Sequence, residues 1–130
     1  MTDQPQTPPA RSGSDLATLE KMVVLPRPPR SVLWRQAIQG SVGLGPTDWK
    51  VVAVLEYSSE EAQALLAGLE RAQGPAASLA EETWLAEPMR AALEKADAYE
   101  ASAFLRPPLT HGTVYFLPQS NTFVLALFTC

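Results

Sequence analysis

The sequence contains very little of the chemistry on which most metal, disulfide and nucleophilic sites depend. It has one cysteine, Cys130, and one histidine, His111. A single cysteine forms no intramolecular disulfide, which excludes a disulfide-stabilised secreted scaffold and favours a reducing compartment. One cysteine and one histidine also fall short of the three or four ligands of a typical zinc site. We therefore expect neither a metal nor a cofactor.

Long apolar runs are missing from the sequence as well. The longest, at 51–55 and 123–128, are far too short to cross a bilayer, and the first 30 residues lack the continuous apolar core of a secretory signal. We therefore expect a soluble, cytoplasmic protein with no membrane partner.

Positive charge is scarce in the larger part of the chain. Residues 51–130 carry four basic and ten acidic groups, residues 1–50 carry six basic and four acidic groups, and the whole chain has a net charge of −4. Nucleic-acid binding depends on clustered Lys and Arg side chains, so we expect no nucleic-acid partner. An acidic surface can instead steer a basic protein towards it.

The chain is long enough for one domain, which follows a segment of different composition. Of the 130 residues, 46% are hydrophobic and 18% are charged, which is typical of a globular domain. Residues 1–14 combine Pro, Ser, Thr, Gln and Gly with almost no large apolar side chain, which predicts disorder. Apolar residues at helical spacing behind Ser14 suit a short helix over 15–24. We therefore assign 1–24 to a flexible tail and 25–130 to a single domain.

A proline-rich segment joins the tail to the domain. Three of the four residues in 26–29 are prolines, which predicts an extended connector. The same residues satisfy the P-x-x-P spacing that polyproline-binding domains recognise, and this is the alternative role.

Four segments have the β-branched and aromatic composition of strands, namely 31–39, 49–57, 112–117 and 122–129. Apolar residues occupy both faces of 49–57 at its centre, which predicts an inner strand covered on both sides. Residues 40–46 and 118–121 supply turn chemistry, so each neighbouring pair of strands is expected to form a hairpin.

Two capping-box spacings predict helices between these hairpins. Ser58 with Glu61 precedes an apolar stripe at helical spacing, which predicts a helix over 59–72. A second capping box at 78–81 opens another helical stretch, in which Pro88 either makes a kink or starts a third helix. The order β-β-α-α-β-β predicts an α+β fold, with a mostly antiparallel four-stranded sheet packed against two or three helices.

No group of residues in the sequence predicts a catalytic centre. His111 precedes the second hairpin, and the sequence places neither a nucleophile nor an orienting acid beside it, so we interpret it as a structural residue. Cys130 follows an apolar strand and is interpreted as a small hydrophobic residue or an exposed thiol. Glycines within 40–45 have a spacing similar to that of phosphate-binding loops, but no helix follows them, so a hairpin turn is expected.

The aromatic residues supply most of the candidates for binding. Tryptophan is usually a core residue but is enriched at binding hot spots. We expect Trp49 and Trp84 in the core, whereas Trp34 has charged and polar neighbours and is the candidate for exposure. The proposed binding residues are Trp34, Tyr57, His111 and Tyr115.

The scarcity of reactive groups favours a non-catalytic protein-interaction module, of the adaptor or inhibitor type, over an enzyme. The alternative is a small-ligand-binding protein or enzyme with a pocket between sheet and helices near His111. A third hypothesis is a homodimer formed through apolar edge strands of the C-terminal hairpin.

Overall fold

The structure, a computed structural model, describes residues 10–39, 48–72, 79, 82–107 and 109–129. The elements follow one another as β1 (Ala10–Gly13), α1 (Leu16–Glu20), β2 (Ser31–Gln39), β3 (Asp48–Glu56), α2 (Ser59–Ala67), α3 (Glu87–Leu93), β4 (Asp97–Glu100), a 3₁₀ turn (Ser102–Phe104), β5 (His111–Leu117) and β6 (Thr122–Phe128). The predictions for residues 1–9, the turn at 40–46, the capping pair Ser78 and Glu81, the Trp49 side chain and Cys130 lie outside the described residues.

The described strands form one antiparallel sheet, which confirms the predicted α+β class. Its six strands lie in the order β1-β2-β3-β6-β5-β4. The two predicted hairpins, β2-β3 and β5-β6, meet at the centre, where β3 pairs with β6 from Lys50 opposite Phe128 to Glu56 opposite Thr122. Strand β3 is thus an inner strand, as its two apolar faces predict.

The predicted number of four strands is wrong, because a short strand is added at each edge. Strand β1 has the sequence Ala-Arg-Ser-Gly and pairs with β2, and β4 has the sequence Asp-Ala-Tyr-Glu and pairs with β5. Neither sequence has the β-branched composition typical of a strand. Both strands form because a longer neighbour offers free backbone donors and acceptors, which local composition does not reveal.

Both faces of the sheet are covered at its centre. On the first face, Val51 and Leu55 pack with α1, α2 and the 3₁₀ turn in one cluster of buried residues. On the second face, Val52 and Val54 pack with Leu79, Leu85 and Leu93 in a second cluster. The sheet therefore separates two hydrophobic cores, and residues on alternate positions of a strand belong to different environments.

Residues that the sequence assigns to the tail take part in the fold. Strand β1 extends the sheet, and α1 buries Leu19 completely against the first face, together with Val23 beyond its C-terminal end. The N-cap of α1 is Asp15, whose carboxylate accepts a hydrogen bond from the Thr18 amide at 3.0 Å, rather than Ser14. The short helix predicted over 15–24 is thus present but shorter, at Leu16–Glu20, and its apolar side chains pack against the sheet.

Helix α2 begins at the predicted capping box but is shorter than 59–72. The Ser58 hydroxyl accepts a hydrogen bond from the Glu61 amide at 3.2 Å, and the helix ends at the Gly68 C-cap. The chain then runs beside the outer edge of β4, where the Ala72 amide donates to the Ala98 carbonyl at 3.0 Å and the Glu100 amide to the Glu70 carbonyl at 2.8 Å. Pairing with β4 therefore replaces the last predicted turn of the helix and covers that edge.

Helix α3 resolves the alternatives for Pro88. This residue lies in the first turn, where backbone amides have no acceptor within the helix, so the missing N–H of proline costs no hydrogen bond. Pro88 therefore starts a helix and does not kink one. The helix ends at Leu93, whereas apolar spacing suggests continuation to Tyr99. Residues 97–100 instead form β4, because their pairing with β5 outweighs local helix propensity.

The C-terminal hairpin lies inside the sheet. Strand β6 is paired along its length with β3 on one side and β5 on the other, and β4 pairs with β5 opposite Thr113–Phe116. The prediction of a homodimer through edge strands of this hairpin therefore loses its structural basis. In the described part of the chain, no helix has the length and apolarity needed to span a membrane.

Candidate functional site

The four proposed binding residues do not form one site, because the sheet separates them. Trp34 and Tyr57 belong to the core of the first face, and Tyr115 to the core of the second. His111 also lies on the second face, opposite Phe128, but is four residues from Tyr115 along β5, or about 13 Å at the usual rise of a strand. A pocket that joins these residues is thus incompatible with the geometry.

Trp34 is buried rather than exposed. Only 3% of it is accessible, and its indole nitrogen donates a hydrogen bond to the Asp15 carbonyl at 3.2 Å. The backbone of Gly13 lies so close to the ring that a Cβ there would be 2.9 Å from Trp34 Cζ2. The N-terminal segment therefore covers Trp34. The expected exposure is wrong, because it treats this segment as a flexible tail.

Tyr57 is a structural hydrogen-bond donor. Its ring packs edge-to-face on Phe123 with centroids 5.6 Å apart, and its hydroxyl donates to the Arg27 carbonyl at 3.0 Å. Burial, followed by the negative charge of Glu61, raises the pKa of the Tyr57 hydroxyl well above its usual value of 10.0. The hydroxyl therefore stays protonated at neutral pH and holds the connector against the domain.

The proline-rich connector is attached to the domain at Arg27. In addition to the carbonyl contact with Tyr57, the Arg27 guanidinium forms an ion pair with Glu61 at 2.6 Å. A polyproline-binding domain would compete with both contacts for this residue. The structure thus favours the connector role over that of a free P-x-x-P ligand.

His111 and Tyr115 have no catalytic surroundings in the described part of the chain. The exposed His111 ring stacks on Phe128 with centroids 5.4 Å apart, and its Nδ1 is 3.3 Å from the Thr110 hydroxyl. Tyr115 is buried, and burial raises the pKa of its hydroxyl. Among the described residues, no carboxylate contacts His111, and no group of three or more His, Cys, Asp and Glu residues could hold a metal ion.

A buried ion pair attaches the cover of the second face to the sheet. Lys50 of β3 pairs with Glu82, and the other oxygen of this carboxylate accepts a hydrogen bond from the Trp84 indole at 2.9 Å. Only 16% of the Lys50 side chain and 10% of the Glu82 side chain are accessible. Both carboxylate oxygens are engaged, so we interpret this group as structural.

A concave, mostly apolar surface lies between α3 and the turn of the β5-β6 hairpin. We call it the α3–hairpin groove, and its volume is about 580 Å³. The groove is lined by Pro88, Met89, Ala92, Lys95, Ala96, Phe116, Leu117, Pro118, Gln119 and Ser120. Lys95 is the only charged residue in this set. The groove is therefore an apolar surface with a single positive charge.

Local sequence explains the shape of the groove. Pro88 starts α3 beside the hairpin, and the small side chains of Ala92 and Ala96 leave space where larger residues would fill it. Opposite, the Ser120 amide donates to the Leu117 carbonyl at 3.3 Å, and Asn121 adopts a left-handed φ of 51°, which Asn tolerates better than most residues. From the sheet, the groove is lined by Leu117, whose side chain belongs to the core of the second face, and by Phe116, whose side chain belongs to the core of the first face.

Sequence reasoning missed this groove because its two walls come from distant parts of the chain. Residues 88–96 and 116–120 meet only when α3 packs on the sheet. The sequence offers one local signal, the small residues Ala92 and Ala96, which line the groove. Small residues by themselves are equally typical of tight packing against a neighbour, so they do not predict a groove. The alternative pocket predicted near His111 would lie at the opposite end of β5 from this groove.

Comparison with known proteins adds no functional information. No family model, no curated protein and no solved structure matches the chain. The function is therefore inferred from the geometry of the described residues.

Proposed function

We propose that this protein is a non-catalytic interaction module, adaptor-like or inhibitor-like, that binds a segment of another protein in the α3–hairpin groove. The observation that carries the proposal is the apolar lining of this open groove. Exposed Pro88, Ala92 and Pro118 form its rims, and buried Phe116 and Leu117 line it on the sheet side. Concave apolar surfaces of this kind accept the anchoring side chains of partner proteins.

The energetics of the groove favour binding through a few apolar anchors. Each Leu-, Met- or Phe-sized side chain that a partner buries contributes roughly 1.5–3 kcal/mol from removal of apolar area. Association costs about 4–15 kcal/mol in lost freedom, so several anchors, or additional contacts around the groove, are needed. We therefore expect contacts that extend beyond the groove, where the excess of acidic over basic groups in the chain suits a basic or mixed-charge partner.

The chemistry of the lining supports binding rather than catalysis. Among the described lining residues, Ser120 has a hydroxyl and Lys95 an amine, but there is neither a histidine nor a carboxylate to act as a general base. The cytoplasmic location expected from the scarcity of cysteine is part of the same proposal.

A pair of arginine substitutions on α3 tests the proposal. Ala92 lines the groove, whereas its neighbour Ala91 is exposed and outside the lining, and arginine is a good helix former at both positions. We expect affinity capture from lysate of the source organism, followed by mass spectrometry, to recover the same partner with wild type and Ala91→Arg, and to lose it with Ala92→Arg. Equal capture by both variants would place the interaction elsewhere and contradict the proposal.

A small ligand is the second candidate occupant, because the groove volume of about 580 Å³ is suitable for one. A thermal-shift screen of metabolites would favour this function if a compound stabilises wild type and Ala91→Arg but not Ala92→Arg. If no compound meets this criterion, the groove is assigned to a protein partner alone.

A further inference from the structure

We propose that the segment bound in the α3–hairpin groove carries one acidic side chain next to its apolar anchors, and that this carboxylate pairs with Lys95. The inference rests on the proposed function and specifies the partner by its chemistry. The net negative charge of the chain favours a basic partner overall, and this inference adds one acidic side chain at the groove.

The first support is the position of Lys95 within an apolar surface. It is the only charged residue among the described lining residues, and it lies just beyond the C-terminal end of α3, between the lining residues Ala92 and Ala96 in sequence. A lysine in this position keeps its alkyl chain on the apolar surface and its ammonium at the rim. An apolar segment that fills the groove therefore brings its own flanking groups next to this ammonium.

The second support is the charge state of the described cations. The side chains of Arg27, Lys50 and Arg71 each pair with a carboxylate of the same chain. The Lys95 ammonium forms no ion pair with a described residue, so an incoming carboxylate would displace no partner in the described part of the chain. Occupation of the groove also removes water around the ammonium, which strengthens attraction to an acid and disfavours a base.

The third consideration limits the number of acids to one. Glu87, the first residue of α3, and Glu94, its C-cap, are exposed and lie outside the groove lining. Exposed charges of like sign repel each other over about 8 Å at physiological ionic strength. A single carboxylate can contact Lys95, whereas a run of acids would extend towards these glutamates and be repelled.

Selection from a random library of short peptides displayed on phage tests the inference. The full-length wild-type protein is the target, and Lys95→Glu is the matched target with the charge reversed at an exposed position. We expect wild type to enrich peptides with one Asp or Glu beside Leu, Ile, Met or Phe. The Lys95→Glu variant is expected to enrich Lys or Arg at that position instead. Replacement of the acid by its amide should weaken binding to wild type about two- to fivefold, the usual effect of an exposed ion pair.

The outcomes separate this inference from the proposed function. Peptides that lose binding on Ala92→Arg but not on Ala91→Arg, and that show no acidic preference, would overturn the acidic partner and leave the groove as the binding site. Peptides that are unaffected by Ala92→Arg, or a selection that enriches no sequence, would overturn both. A Lys95→Gln target should lose the acidic preference without acquiring a basic one, which distinguishes a charge effect from a change in shape.

Discussion

Replacing Gly112 by alanine should destabilise the protein, because β5 and β6 approach each other too closely here for a side chain. A Cβ at this position would lie 2.3 Å from the Ala126 carbonyl oxygen and 2.8 Å from Leu127 Cα. Both atoms belong to the backbone of β6, which is hydrogen-bonded on both sides. Rotation of a side chain therefore cannot relieve the contact, and the strands must separate.

The expected magnitude follows from two opposing terms. Forcing an extra carbon into a packed site costs typically 1–3 kcal/mol, with the upper part of the range expected where backbone must move. Restricting the unfolded chain by a glycine-to-alanine change returns about 0.4–1 kcal/mol. We therefore expect Gly112→Ala to lower the free energy of unfolding by about 2 kcal/mol, measured by urea denaturation at constant m-value.

Gly68 provides the matched control within the same chain. A Cβ there would meet only the Leu65 carbonyl oxygen, at 3.7 Å, and the φ of Gly68 is −94°. Gly68→Ala should leave stability unchanged or raise it slightly, by less than about 1 kcal/mol. The reasoning is refuted if Gly112→Ala is as stable as wild type, or if Gly68→Ala loses as much stability as Gly112→Ala.

Three further predictions concern the polar contacts that attach the outer elements to the sheet. Lys50→Met leaves Glu82 buried without its partner and should lower the free energy of unfolding, measured by urea denaturation, by about 3 kcal/mol. The double variant Lys50→Met with Glu82→Met should recover much of this loss. Equal stability of the single and double variants would contradict a buried ion pair. Tyr57→Phe removes the hydrogen bond to the Arg27 carbonyl and should cost about 1 kcal/mol, with little effect if the connector is not attached there. The hydroxyls of Tyr57 and Tyr115 have a raised pKa in the folded state, so their contribution to stability is present below pH 10, the usual tyrosine value, and is lost as pH rises above it. Ultraviolet titration of the native protein should show these two tyrosines ionising later than in denaturant, and coincident curves would contradict their burial.

The sequence was informative where the signal is local or where both faces of a strand are apolar. The β-branched run of β3 predicts an inner strand, and Ser58 with Glu61 predicts the start of α2, because these features act within one turn or one strand. The edges of the sheet were not predictable in this way. Strands β1 and β4 depend on partners more than twelve residues away, and of their own residues only Tyr99 is of a type enriched in strands.

The candidate site was the least predictable part, for the same physical reason. Trp34 and Tyr57 are aromatic residues with polar neighbours in sequence, yet both are buried, because α1 and the connector fold over them. The α3–hairpin groove lies between small residues in and just after α3 and a turn reached only through β4 and β5. A single sequence contains the composition of the two walls but not their proximity.

Binding of a protein partner in the α3–hairpin groove can be measured by calorimetric titration of the captured partner into wild type, Ala91→Arg and Ala92→Arg. We predict that Ala91→Arg binds with the affinity of wild type within about twofold, and that Ala92→Arg binds at least about tenfold more weakly, a loss of roughly 1.4 kcal/mol. Circular dichroism of both variants provides the check that α3 is intact. Affinities that are equal for the two arginine variants, whether both normal or both reduced, would contradict the assignment of this groove as the binding site.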